Sequence, residues 1–382
     1  MGFHEFSSPY DWSRIAAYKR TAKAAFGGMI DLSVGSPVDP VPDSVRKALA
    51  AAANDPNAYG YPVTAGTADL RAAIAEWFSA TRNVDLQAIH ADVVPTVGSK
   101  EGVALMASLL HFGEDDVVVQ PKVSYPTYEI GTQLAGAQVL KVDDVADVAS
   151  WCNVPGVKAV WVNSPCNPTG EVYSAERMAG IVAAAREIGA VVLSDECYAL
   201  MQWRGATNSA DDDPLQSTPC ALRSDVCAGS AEGVLVLYSL SKQSNMAGYR
   251  TAFIAGDESL IASMSAYRKQ IGQIIPGPVQ AAMAAGLRDL ESVKVQHVRY
   301  RERLGVLVSA LRAYGYCTDM PDGALYVWVR AKSGDCWTDM EQLAKIGIIA
   351  SPGEFYGAPE CLRFSATASD EAIASAAERL AR

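Results

Sequence analysis

Histidine is scarce in this chain of 382 residues: four occur, at positions 4, 90, 111 and 297, too far apart in sequence to form a ligand pair. The eight cysteines show no CxxC spacing, so neither residue type supplies the ligand set of a metal centre, no metal is expected, and free thiols are. No GxGxxG or GxxxxGK[ST] loop occurs, which denies nucleotide cofactors their usual phosphate cradle. Long apolar runs are missing too: polar residues, Gly or Pro interrupt every hydrophobic stretch well short of the ~20 residues that span a bilayer. The opening MGFHEFSSPYDW has neither the basic-then-apolar order of a secretory signal nor, with Phe6 where Ser or Thr is required, the myristoylation pattern. A cytoplasmic protein is expected. Basic charge is in deficit, 32 Lys and Arg against 43 Asp and Glu for a net −11, which argues against nucleic acid or an anionic membrane as partner.

What is present reads as an ordinary globular enzyme, 49% apolar and 20% charged, and long enough for two domains. Short apolar runs over 92–97, 116–120, 138–142, 159–163, 190–194, 234–238 and 252–255 alternate with helical patterns over 101–111, 126–135, 174–188 and 260–270. That rhythm predicts an α/β fold: a mainly parallel seven-stranded sheet with helices on both faces. After Pro276 and Pro278 a long helical stretch over 279–314 leads into a mixed pattern, with strands over 324–330 and 361–365 and helices over 340–345 and 370–380, which predicts a smaller α+β domain. The expected division is an N-terminal arm over 1–12, a small domain from 13–45 and 279–382, and a large domain over 46–278. A Ser/Asp/Pro-rich loop is expected over 208–219.

The most informative segment is LYSLSKQSNMAGYR, residues 237–250, where an apolar run ends in Ser239, Ser241 and Lys242 and is followed by Arg250. A partly desolvated lysine near other cations has a lowered pKa and attacks a carbonyl. Two hydroxyls and a guanidinium fork suit a phosphate dianion. Isolated, an SxSK string is equally a surface turn, so the neighbouring motifs carry weight. NSPCNPTG (163–170) ends one strand and presents Asn167. SDECY (194–198) ends another and presents Asp195 and Tyr198. VGSKEG (97–102) sets Gly98, Ser99 and Lys100 at a helix N-terminus, where amides attract phosphate.

In this order the motifs resemble those of the class I and II aminotransferases, of the pyridoxal-5′-phosphate (PLP) enzymes of fold type I, and the resemblance runs from LSVGSP to the C-terminal Arg363. It implies PLP as cofactor, held as a Schiff base by Lys242, which also serves as the proton-transfer base. It further implies Gly98, Ser99, Lys100, Ser239, Ser241 and Arg250 around the phosphate, with the share of the Lys100 side chain open. Asn167 and Tyr198 would contact the phenolic oxygen, and Asp195 would keep the ring nitrogen protonated so that the ring accepts electrons. Tyr125, in SYPTYE, would stack on the ring. Tyr61 would cross a homodimer interface to the neighbouring phosphate. Arg363, in CLRFSA, would pair with the substrate α-carboxylate, under a loop containing Gly35. Each residue alone is also readable as an ordinary packing or strand-end residue.

The strings SKQSNMAGYR, SYPTYEIG and IIPGPVQAAM are similar to the N-succinyldiaminopimelate aminotransferases. That likeness implies glutamate as donor and an N-succinylated 2-amino-6-oxopimelate as acceptor. Many class I relatives carry an aromatic residue two after the lysine and a tryptophan before the arginine, where Ser244 and Tyr249 stand here. Aspartate, aromatic or LL-diaminopimelate transamination and a C–S β-lyase are the alternatives. A silent regulator that keeps the fold is the non-enzyme alternative.

Overall fold

The computed structural model describes residues 11–203, 215 and 218–381. Residues 1–10 of the expected N-terminal arm and most of the expected 208–219 loop lie outside them. A two-residue strand, β1 (Ile30–Asp31), precedes a seven-stranded sheet formed by β2 (Ala91–Val97), β3 (Val117–Pro121), β4 (Gln138–Val142), β5 (Val157–Asn163), β6 (Val191–Asp195), β7 (Val234–Ser239) and β8 (Thr251–Asp257). Its order is β2-β8-β7-β6-β5-β3-β4, parallel throughout except that β8 runs against both neighbours. All seven strands expected from the sequence form within a few residues of their expected bounds.

The sheet's apolar runs are continuous because both faces are covered. Leu235, Leu237 and Ile254 join one cluster with Val103, Met106, Ile261 and Met264 of helices Ser99–Leu109 and Glu258–Ile271. On the other face Val234, Val236, Tyr238 and Phe253 pack with Leu70, Ile74 and Trp77 of helix Ala68–Trp77, Ile181 of Ala175–Glu187 and Met283 of Gly277–Arg288.

A second core gathers Ile15, Ala22, Ile30 and Leu32 from near the start with Tyr300, Leu304, Leu307, Met340, Leu362 and Phe364 from the last third. Its strands are β9 (Tyr326–Arg330), β10 (Ile348–Ile349), β11 (Ser351–Pro352) and β12 (Cys361–Ser365). β1 pairs with β10 in parallel, and β12 lies between β11 and β9. The long stretch expected over 279–314 is two helices, Gly277–Arg288 and Leu290–Ala313. Asp289 breaks it, because its backbone leaves the helical region and its carboxylate caps the second helix by accepting from the Ser292 amide at 3.0 Å. The helix expected over 340–345 starts earlier, at Cys336, because Asp335 caps it through the Thr338 amide at 2.8 Å. No described helix is long and apolar enough to cross a membrane.

Register then decides where side chains meet. Asn163 lies beside Asp195 and Asp195 beside Leu237, so the ends of β5, β6 and β7 are level. Because β8 runs the other way, its first residues, next to Arg250, reach that same edge, and Thr251 faces Val97 at the end of β2. Functional side chains in such sheets gather beyond the strand ends.

Candidate active site

A cavity of about 470 Å³ opens at this edge, lined from both cores. Of the residues expected from the sequence, Gly35, Ser99, Lys100, Tyr125, Asn167, Asp195, Tyr198, Ser239, Ser241, Lys242, Arg250 and Arg363 line it. Gly98 sits directly behind Arg250. Tyr61 does not join them: its side chain is fully exposed, outside this chain's own cavity.

Lys242 lies in the single helical turn Leu240–Gln243 that follows β7. Its Nζ donates to the Gly35 carbonyl. Burial lowers its pKa below the usual lysine value, and the Arg363 and Arg250 charges act in the same direction against an opposing influence from Tyr326. The amine is therefore easier to obtain unprotonated than a surface lysine would be.

One end of the cavity is built from donors. Gly98, at φ +81, turns the chain from β2 into helix Ser99–Leu109, and a Cβ there would stand 2.2 Å from Arg250 Nη2. Arg250 itself holds a left-handed φ of 58, uncommon for a residue with a side chain. Its guanidinium bonds the carbonyls of Ala247 at 2.8 Å and Val97 at 3.4 Å, and no carboxylate among the described residues pairs with it. The Ser239 and Ser241 hydroxyls lie 2.8 Å apart. A helix N-terminus, two hydroxyls and an unneutralised fork make a set suited to a phosphate. Lys100 is exposed at the rim.

Asp195 is 6% exposed and has no cationic partner among the described residues. Its carboxylate accepts from the Tyr128 hydroxyl at 2.7 Å and the Cys197 amide at 3.2 Å. Burial raises its pKa although both bonds oppose the rise. A buried, unpaired carboxylate fits a ligand that brings a protonated nitrogen. Asn163 fastens the loop beside it, donating to the Asp195 carbonyl at 2.9 Å and accepting from the Asn167 amide at 2.8 Å. Tyr125 is half-buried, its ring edge-on to Tyr128 with centroids 5.6 Å apart.

Arg363 faces the same cavity from β12. It is 4% exposed, donates to Asn167 Oδ1 at 2.7 Å and to the Ser33 carbonyl at 2.8 Å, and leaves its Nε without a partner. No carboxylate neutralises it among the described residues. Its guanidinium lies 4.0 Å over the Tyr326 ring and 4.8 Å over that of Tyr356. The Tyr198 hydroxyl meets that of Tyr326 at 2.7 Å. Trp12, Ser33 and Tyr356 line the cavity, and Tyr128 and Tyr326 bond its lining residues Asp195 and Tyr198, without having been singled out from the sequence. Only the fold brings them there, and a lone aromatic in an amphipathic segment carries no signal of its own.

The donors for a phosphate, the unpaired acid, the deprotonatable lysine and the buried arginine match the four parts of PLP bound with an amino acid: phosphate, ring nitrogen, aldehyde and substrate carboxylate. Fold and site thus define a PLP enzyme of fold type I. Residues 27–380 match the family model described as "Aminotransferase class I and II". The chain is 40% identical to the 4-dedimethylamino-4-oxo-anhydrotetracycline transaminase OxyQ of Streptomyces rimosus, over 97% of this chain and 98% of that one. It is also 40% identical to a probable aminotransferase of Mycobacterium tuberculosis, over 97% of this chain and 84% of that one. A solved structure of a probable N-succinyldiaminopimelate aminotransferase from Thermus thermophilus superposes with a TM-score of 0.84 at 27% identity, covering 97% and 99% of the two chains. The chain belongs to the class I and II aminotransferases, which use PLP and act on amino acids and oxo acids.

Proposed function

We propose that this aminotransferase moves the amino group of glutamate to N-succinyl-2-amino-6-oxopimelate, giving N-succinyl-LL-2,6-diaminopimelate and 2-oxoglutarate. The observation that carries the amino-acid half of this reading is Arg363, a buried guanidinium without a carboxylate, facing the same cavity as Lys242. Its planar fork takes an α-carboxylate bidentately, which orients the Cα–H bond. The acceptor half is supported by the likeness to the Thermus thermophilus structure and by the segments around Lys242 and Tyr125.

PLP, when bound, supplies an aldehyde that takes up the amino group and a ring that accepts the electrons left when the Cα proton departs. Lys242 Nζ, made less basic by burial, takes that proton and returns it. Asp195 holds a proton at the ring nitrogen. Asn167 and Tyr198 would contact the phenolic oxygen. Gly98, Ser99, Ser239, Ser241 and Arg250 would hold the phosphate, and Tyr125 would restrain the tilt of the ring. Tyr61, exposed on this chain, would reach the phosphate held by the second subunit of a homodimer.

A second reading, transfer to a bulky ketone rather than a 2-oxo acid, is favoured by the OxyQ likeness and by the aromatic and aliphatic rim of Trp12, Val34, Ile130 and Tyr356. A panel of acceptors with glutamate as donor separates the two. The succinylated acceptor should exceed pyruvate and oxaloacetate in kcat/KM by about tenfold or more. Turnover with an anhydrotetracycline ketone and none with the succinylated acid reverses the assignment.

A further inference from the structure

Tyr326 belongs to none of the motifs above, yet it touches both Tyr198 and Arg363, which line the cavity. It begins β9 and is 2% exposed. Its ring meets that of Tyr198 edge to face, with centroids 5.6 Å apart at 74°, and the two hydroxyls share a hydrogen bond of 2.7 Å. On its other side the Arg363 guanidinium lies 4.0 Å over the ring. The hydroxyl also occupies space that any side chain at position 35 would claim: a Cβ on Gly35 would stand 2.2 Å from it. The carbonyl of that same Gly35 holds Lys242.

The phenol pair has two protons and one shared contact. Among the described residues the Tyr198 hydroxyl bonds only Tyr326. When Tyr326 is the donor, the Tyr198 proton is left to point into the cavity, and the accepted bond polarises it. Tyr198 faces Tyr326, Arg363 and Cys197, and burial holds its pKa well above the ordinary tyrosine value, so it stays a neutral donor.

Resting on the site reading above, we infer that Tyr326 is a positioning residue: its hydroxyl directs the Tyr198 proton to the phenolic oxygen of bound PLP, and its ring braces Arg363 for the substrate carboxylate. Two variants of the PLP-loaded enzyme separate these effects. Tyr326→Phe keeps the ring and deletes the donor. A weaker Tyr198 leaves more negative charge on the phenolic oxygen, so the pH midpoint of the cofactor's visible absorbance rises by about half a unit, the scale of one neutral hydrogen bond. KM for glutamate stays within about threefold, because the ring still supports the guanidinium. Tyr326→Leu removes the ring as well, and KM rises about tenfold. In a Tyr198→Phe background, Tyr326→Phe adds no further shift of the midpoint.

If Tyr198→Phe alone leaves the midpoint unmoved, the reading of the site falls. If Tyr198→Phe moves it while Tyr326→Phe does not, or if the two shifts add in full, only the role of Tyr326 is overturned. Equal KM values for the Phe and Leu variants overturn the bracing of Arg363.

Discussion

Asp195 and Arg363 are opposite charges buried in one cavity, yet neither neutralises the other. Each is held by neutral groups, Tyr128 and the Cys197 amide for the acid, Asn167 and the Ser33 carbonyl for the base. Such charges disfavour the cofactor-free fold and favour whatever ligand completes them. The raised pKa of Asp195 gives this a sign. Its penalty is fully present above its folded value and vanishes below the ordinary carboxylate value of about 3.9. The Tm difference between cofactor-free Asp195→Asn and the parent should therefore be most positive near neutral pH. It should fall by on the order of 2 °C as the medium is acidified through that window. Thermal melts at several pH values measure this, and a difference that ignores pH would mean the acid is not desolvated. Lys242, Asp195 and Asn167 were legible in the sequence because each belongs to a short string ending an apolar run. Tyr326 was not: it meets Tyr198 across 128 positions of chain, and only the packing of one core on the other creates the pair.

Among the elements, the turn from β2 into helix Ser99–Leu109 is the most sharply constrained. Gly98 has a positive φ and Arg250 against its α-carbon. Gly98→Ala adds backbone strain of about 1–3 kcal/mol and pushes the guanidinium aside. The expected outcome is PLP binding weaker by about tenfold or more, read by titrating the cofactor-free protein with PLP. Unchanged affinity would remove Arg250 and Gly98 from the phosphate site. The inner strands could be read from the sequence because burial on both faces leaves continuous apolar runs. The break at Asp289 was hidden, since no Gly or Pro stands at or just after it and Leu287 and Leu290 continue the apolar pattern across it, while β1 and β10, at two residues each, are too short to leave a pattern.

For the whole molecule, the exposure of Tyr61 beside exposed Tyr59 and Val63 bears on the proposed homodimer. Sedimentation should show a dimer, and Tyr61→Phe should leave it intact while weakening PLP binding by roughly threefold to tenfold, the loss of one hydrogen bond. Parent-like affinity in that variant would confine Tyr61 to the surface. The pairing of β1 with β10, and of the Ser365 amide with the Leu32 carbonyl, has a further consequence for how the chain matures. During synthesis Ile30 and Leu32 leave the ribosome long before their backbone partners Ile348, Ile349 and Ser365, which emerge more than 300 residues later, so these apolar groups wait with an unfinished core until translation is nearly over. Ser33 and Gly35 wait with them, and the end of the pocket nearest Arg363 is the last part of the enzyme to come into being.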